Sequence, residues 1–475
     1  MSVTKIIGTI GPNTNTAESL LALVEAGLDV VRLNGSHADL NWHSETIKLI
    51  KETIPEIPIL LDIPGRKIRT AVLEHEPSFL EGDEIILTTE LGHNGSNKVS
   101  VNRADLHERL GVGAVILADD GTLKFTVTKV LGHDIHCKAM ASGTLRSCKG
   151  INVPYVELGG ELITERDKKM VAFATEHKID FIGISFVESA EHVELIRELT
   201  DNSWPRIVAK IENQGGMDNM DSIMKTADVI MIDRGDLSVE TNLDNLVIFQ
   251  KRIIQTARKY ARPVIVATEV LHSMLINPFP TKAEVSDITN AVLDGCAATM
   301  LSGETAIGDY PVESIETMRG VLDAADSYAQ DILDDDSQLG KVSIQDAMKD
   351  AAGLLCRSLP ITKIVAVTMS GFAARMIASK HPRQPIIAVS NDIMAARSFN
   401  IFSGTKGYYA DIKFSQTSTD HLVECLELLW RGKEISEDDL ILVSAVGYPK
   451  SGNVMNLVQT HYVKDLKEAL KWETL

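Results

Sequence analysis

Ile207-Val208-Ala209-Lys210-Ile211-Glu212 and Val229-Ile230-Met231-Ile232-Asp233-Arg234-Gly235-Asp236 are two short apolar runs that each end in charge. Unbroken Val/Ile-rich runs of this length read as parallel strands buried on both faces. A strand of that kind has no structural use for an ammonium and carboxylates at its C-terminal end. The pattern therefore points to a divalent metal and an anion held at the mouth of a barrel.

Reading outward, eight such runs recur, at 5–10, 29–33, 57–61, 181–186, 206–211, 229–232, 263–267 and 298–301, with helical patterns between them. Strand then helix, repeated with right-handed crossovers, predicts a parallel sheet, and eight units predict a closed (β/α)8 TIM barrel, an α/β fold. Polar residues follow the runs: Thr9, Arg32 with Asn34 and Ser36, Asp62, Ser185, Lys210 with Glu212, Asp236, Thr268, and Ser302 with Glu304. Barrel enzymes draw their sites from these strand ends, so residues distant in sequence converge on one rim.

One connection breaks the rhythm. About 120 residues separate the third and fourth runs where about 30 suffice elsewhere. Alternating strands at 84–88, 114–117 and 125–128, with turns at His93-Asn94-Gly95 and Asp119-Asp120-Gly121, predict an inserted small all-β lid, a β-barrel over residues 71–152. The barrel then comprises 1–70 and 153–333. After the linker Asp334-Asp335-Asp336-Ser337, apolar runs at 363–368, 385–390 and 440–444 and a helix at 344–355 predict a C-terminal open α/β domain over 341–475.

Composition narrows the class. With 66 acidic against 47 basic residues the net charge is -19, which disfavours nucleic-acid and anionic-membrane partners. No run of 18 apolar residues occurs and the N-terminus lacks a signal pattern, so a cytoplasmic location is expected. Five scattered cysteines without CxxC spacing predict reduced, packed thiols rather than disulfides or a zinc site.

Several motifs then coincide: Ile7-Gly8-Thr9-Ile10-Gly11-Pro12, Val31-Arg32-Leu33-Asn34-Gly35-Ser36-His37, Ala209-Lys210-Ile211-Glu212-Asn213, Arg234-Gly235-Asp236-Leu237, Pro280-Thr281-Lys282-Ala283-Glu284-Val285-Ser286-Asp287 and Met300-Leu301-Ser302-Gly303-Glu304-Thr305-Ala306. In order and over the whole chain they resemble the pyruvate kinase family. The resemblance implies phosphoryl transfer from phosphoenolpyruvate to ADP in glycolysis, with Mg2+ or Mn2+ as cofactor. It implies Arg32 and Lys210 on the phosphoryl oxygens, Glu212 and Asp236 on the divalent metal, and Gly235 with its neighbouring backbone amides on the substrate carboxylate. Thr268, Ser302 and Glu304 are implied near the proton relayed to the enolate. Thr9, Pro12, Arg32, His37, Arg69 and Lys149 are implied around the nucleotide, and a homotetramer is the implied assembly.

The sequence also departs from the family. Relatives that need K+ hold it with the equivalents of Asn34, Ser36, Asp62 and the carbonyl at Ile63, and carry a glutamate where this chain has Lys67. An ammonium near Asp62 can stand in for the monovalent ion, so turnover without K+ is expected. Asp233 stands where the family has alanine, Gly35 replaces a larger residue, Ser238 a glycine, and Glu269 and His272 a glutamine and a glutamate. These changes leave two alternatives open: a metal-dependent lyase or aldolase that forms an enolate on the same barrel, and a weakly active effector-binding paralogue. In the C-terminal domain, Ser370-Gly371 and Lys450-Ser451 are similar to loops that bind sugar phosphates in allosteric relatives, although Phe372 replaces a basic or polar residue there.

Overall fold

The computed structural model describes residues 3–119, 121–154, 156, 159–200, 204–332, 343–415, 418–446 and 455–472. Eight parallel strands, β1 Lys5–Thr9, β2 Val30–Asn34, β3 Ile59–Ile63, β4 Phe181–Ile184, β5 Arg206–Ile211, β6 Val229–Asp233, β7 Val264–Ala267 and β8 Ala298–Leu301, close in sequence order. Closure is made where β1 pairs with β8, Lys5 opposite Ala298. Each strand is buried along almost its whole length, which is why the sequence shows continuous rather than alternating apolar runs. Side chains such as Ile7, Leu60, Val208, Met231, Ile265 and Met300 belong to one cluster, while the opposite faces of the strands pack on the surrounding helices.

Helix boundaries follow local chemistry. Thr16, Thr164 and Thr281 each cap a helix in a reciprocal box with the residue three positions on. Gly27 and Gly295 end two helices in the left-handed conformation.

Between β3 and β4 the chain forms a seven-stranded sheet in the order Ile68–Arg69, Gly150–Asn152, Val115–Ala118, Leu123–Leu131, Asp134–Ala139, Glu84–Thr88 and Val99–Ser100. A bridge from Thr70 to Val101 links its first strand to its last, curling the sheet around Leu87, Ile116 and Phe125. The sheet begins at Ile68, so the rim residues Lys67 and Arg69 are anchored by the insert itself.

The C-terminal sheet has five strands: β9 Lys363–Val367, β10 Ile386–Ser390, β11 Thr405–Tyr409, β12 Leu440–Ala445 and β13 Leu457–Tyr462. Their order is β11-β10-β9-β12-β13, with only β13 antiparallel. It packs against the N-terminal end of the barrel: Arg397 reaches Asp180 at 2.8 Å, and Arg206 donates to the Ser370 carbonyl at 2.9 Å. All five cysteines are free, four of them buried. Among the described residues no helix is long and apolar enough to cross a membrane.

Candidate active site

Lys210 lies at the centre of the barrel's C-terminal rim. Its Nζ is 3.0 Å from Asp233, 3.3 Å from Glu212, 3.4 Å from Asp62 and 3.3 Å from the Ser185 hydroxyl. The strands fix this arrangement. Lys210 is opposite Met231 in the β5–β6 register, and Asp233 is opposite Ala267 at the end of β6, so the side chains rise into the mouth from adjacent strand ends. Asp236 follows in the first turn of the helix Arg234–Glu240. Asp62 Oδ2 also receives Arg32 at 2.6 Å, and Arg32 donates to Thr9 Oγ1 at 3.1 Å. Gly35 approaches the Asp62 carbonyl so closely that a Cβ there would lie 2.8 Å from it, which accounts for glycine at this turn.

Carboxyl oxygens of Glu212, Asp233 and Asp236 lie within 4.8 Å of one another, all three residues buried. Glu212 Oε1 accepts from the Phe186 amide at 2.6 Å, whereas its Oε2 faces the shared Lys210 ammonium at 3.3 Å without forming a hydrogen bond, and Asp62 Oδ1 has no hydrogen-bond partner among the described residues. Hard oxygen donors, buried and incompletely satisfied, fit Mg2+ or Mn2+.

The electrostatics say the same. Burial, with Asp233 and Asp236 adding to it, pushes the Glu212 carboxyl well above its ordinary range despite Lys210. Burial likewise raises Asp236 against the pull of Lys67. Asp233 goes the other way: burial is outweighed by Lys210 and Lys67, which hold it at about 2. Burial alone would deprotonate Lys210, yet Asp62, Glu212 and Asp233 keep it well above an ordinary lysine. The cluster is short of positive charge, and a divalent cation supplies that.

The structure corrects the expected position of Lys67. Its ammonium bonds Asp236 at 2.5 Å rather than sitting beside Asp62. Its raised pKa reflects burial overcome by Asp236, Asp233 and Glu212. Around the expected monovalent position, Asn34 Oδ1 accepts the Ser36 amide at 3.1 Å, and the Ile63 carbonyl accepts from Ser185 at 2.9 Å.

Thr268 and Glu269 both have positive φ, 67° and 52°. Thr268 Oγ1 accepts the Gly235 amide at 2.8 Å, the amide expected to meet the substrate carboxylate. Strain of this kind gathers at functional sites. Arg234 turns away from the mouth to Asp287 at 2.5 Å and to the Thr268 and Glu269 carbonyls. Glu304 accepts the Ser302 and Leu271 amides, so it shapes its own loop rather than facing the Lys210 cluster with a free oxygen. Glu269 and His272 are exposed, and Ser238 donates to the Gly235 carbonyl.

Of the expected nucleotide residues, Thr9 and Arg32 are joined at the rim, whereas Pro12 and His37 are exposed beside it. Partial desolvation, then Arg69, Arg32 and Arg166, lower the His37 pKa, so the ring lies within electrostatic reach of these cations while keeping an exposed face. Lys149 pairs with Asp119 at 2.6 Å on the insert. In the C-terminal domain Gly371 has φ 80° and Thr368 Oγ1 accepts its amide, while Lys450 and Ser451 lie outside the described residues.

One functional candidate escaped the sequence reading. Glu240 accepts from Asn152, the insert's last strand residue, at 2.6 Å, and burial pushes its carboxyl up to about 7. It lines a cleft of about 530 Å³ between insert and rim, with Arg66, Lys67, Arg103, Ile151 and Glu188. Its sequence signal was slight: an acidic residue closing the Arg234–Glu240 helix, where the dipole disfavours negative charge.

A closed (β/α)8 barrel whose rim gathers carboxylates, two lysines and an arginine defines an enzyme that brings a divalent cation to an anionic substrate. Residues 1–315 match the family profile described as "Pyruvate kinase, barrel domain", and residues 346–459 the one described as "Pyruvate kinase, alpha/beta domain". Over 480 residues the chain is 37% identical to a pyruvate kinase of Bacillus licheniformis, covering 98% of this chain and 81% of that one. Identity to a pyruvate kinase of Clostridium perfringens is 36% over 469 residues, 95% and 97% of the two chains. A crystal structure of a pyruvate kinase from Cryptosporidium parvum superposes with a TM-score of 0.84 at 31% identity, over 97% of this chain and 96% of that one. The chain belongs to the pyruvate kinase family.

Proposed function

We propose that this chain is a phosphotransferase that moves the phosphoryl group of phosphoenolpyruvate to ADP, giving pyruvate and ATP. The observation that carries this reading is Lys210 held among Asp62, Glu212 and Asp233 at the rim of the barrel. Phosphoryl transfer asks the protein to position two anions and to neutralise charge on the moving group. In this reading Lys210 and Arg32 leave their carboxylate partners for the phosphoryl oxygens. Glu212 and Asp236 would hold a divalent ion, Mg2+ or Mn2+, which would supply positive charge against the phosphoryl group and the developing enolate. The Gly235 amide exchanges Thr268 for the substrate carboxylate, and the freed Thr268 hydroxyl then faces the carbon that is protonated, with Ser302, which follows the neighbouring strand β8, as a second hydroxyl for the proton path. Thr9, Pro12, His37, Arg69 and Lys149 border the nucleotide. The similarity to pyruvate kinases over nearly the whole chain does not favour the lyase and inactive-paralogue readings.

The three units of the chain, 1–70 with 153–333, 71–152 and 341–475, divide the work as catalytic barrel, lid and effector domain. Turnover without K+ follows from Lys67, whose ammonium adds a fixed positive charge to the acidic cluster. A homotetramer is the proposed assembly, with the exposed apolar side chains Leu243, Val247 and Ile248 as a contact surface, and the cytoplasm the proposed location. A lactate-dehydrogenase-coupled assay tests the reaction. Pyruvate must appear only with phosphoenolpyruvate, ADP and Mg2+ or Mn2+, disappear on chelation, and require no K+. Pyruvate release from a 2-oxo acid without nucleotide would move the assignment to a lyase.

A further inference from the structure

Asp233 makes the rim more acidic than phosphoryl transfer requires. Four carboxylates, Asp62, Glu212, Asp233 and Asp236, face three cations, Arg32, Lys67 and Lys210, and all the direct pairings are between 2.5 and 3.4 Å. Without Asp233 the group would balance. With it, when all seven groups are ionised, one negative charge remains in a space where every participant is mostly buried. The excess also has a direction. The Asp233 carboxyl falls within 4.8 Å of donor oxygens on both Glu212 and Asp236, and the fully buried Glu212 Oε2 makes no hydrogen bond among the described residues, its nearest charge being the shared Lys210 ammonium at 3.3 Å. Asp233 is moreover the last residue of β6, held in register with β7, and not on a mobile loop, so its carboxylate is presented without ordering cost.

We propose that Asp233 is a third acidic donor to the divalent ion, so that this chain takes Mg2+ or Mn2+ before phosphoenolpyruvate arrives. This rests on the reading of Glu212 and Asp236 as metal donors. Mg2+ bound by one or two carboxylates keeps several waters and depends on substrate phosphates to complete its shell. A third carboxylate replaces one water and removes that dependence. It also explains how an additional negative charge is tolerated beside an anionic substrate: the charge is spent on the cation. Lys210, released from Asp233 and Glu212, is then free for the phosphoryl group.

The test is Mn2+ binding to the full-length protein without substrate, followed by electron paramagnetic resonance, with the Mn2+-bound waters counted by 17O-water line broadening. The wild type is expected to bind, Asp233→Ala to bind about 10-fold more weakly or worse, and its Mn2+ to gain one water. Asp233→Asn, which keeps an oxygen and the shape, should lie between them, and provides the measurement if the alanine variant fails to fold. Unchanged affinity, or weaker affinity with an unchanged water count, would overturn the proposal and leave Asp233 as a counter-ion of Lys210. Absence of Mn2+ binding to the wild type without substrate would overturn it as well. Glu212→Gln separates this from the underlying reading: if it leaves Mn2+ affinity intact, the metal site itself is misassigned, whereas loss with Glu212→Gln and none with Asp233→Ala removes only Asp233.

Discussion

The two ends of the barrel bury acid in opposite ways. At the N-terminal end, Asp29, Asp180 and Asp228 each directly precede an even-numbered strand and accept the amide of an odd-numbered neighbour, Ile6, Ile59 and Ile207, at 2.8 to 2.9 Å. Each also has its own arginine: Arg319 at 2.7 Å, Arg397 at 2.8 Å and Arg197 at 3.1 Å. A charge with a backbone donor and a guanidinium has its hydrogen bonds met and fastens neighbouring strands together, even at Asp180, where burial still raises the carboxyl above its ordinary range. At the C-terminal end the carboxylates share lysines, crowd one another, and leave Asp62 Oδ1 and Glu212 Oε2 without a hydrogen bond among the described residues, the latter with the shared Lys210 ammonium 3.3 Å away. One rim uses charge to hold the barrel, and the other stores unmet charge for a ligand.

This contrast predicts which changes cost stability and which cost turnover. Asp180→Ala leaves Arg397 and the Ile59 amide without their partner. It should lower stability by about 3–5 kcal/mol in urea unfolding, with turnover of the remaining folded protein within a few-fold of wild type. Comparable loss from a rim carboxylate would erase the distinction. Lys210→Met should do the reverse, cutting turnover on the order of 100-fold or more in the coupled assay while the protein stays folded.

Glu240 sharpens the comparison because it is acidic, largely buried and near the rim, yet its one strong partner is Asn152 on the insert. Its folded pKa is raised to about 7, so between the unfolded value and 7 the folded state holds a proton that the unfolded state has released. Its contribution to stability therefore declines as pH rises through that window and is fully unfavourable above it. Glu240→Gln should raise stability by about 2 kcal/mol at pH 8, after discounting for partial exposure, and by nothing at pH 4. A gain that is the same at both pH values would contradict the assignment. The smallest effect is expected from Lys67→Glu, which should turn a K+-indifferent enzyme into one activated several-fold by K+ in the same assay. Indifference to K+ in the variant would detach Lys67 from monovalent-ion dependence.

The legibility of the sequence follows the same division. All eight barrel strands could be placed within two residues because parallel strands buried on both faces write continuous apolar runs, as Val229 to Ile232 does. β11 and β13 went unread because they are sheet edges, half exposed, with the polar sequences Thr405-Lys406-Gly407-Tyr408-Tyr409 and Leu457-Val458-Gln459-Thr460-His461-Tyr462. Lys210, Glu212 and Asp236 stood out because charge closes apolar runs there. The sequence suggests Asp62 as the partner of Lys67, whereas its ammonium reaches Asp236, since spacing cannot tell which acid a flexible four-carbon stem will reach. The aspartates before β2, β4 and β6 were visible as a repeated Asp-then-apolar step, but only the register with neighbouring strands gives that step its meaning.

The rim acids are held against stability, for binding. The urea unfolding midpoint of Glu212→Gln at pH 8 without divalent ions tests this most directly, since Gln can still accept the Phe186 amide. The midpoint should equal or exceed that of the wild type, because the folded state no longer has to bury, or hold protonated, a crowded carboxyl. A fall of about 3–5 kcal/mol, as for a structural buried pair, would contradict it.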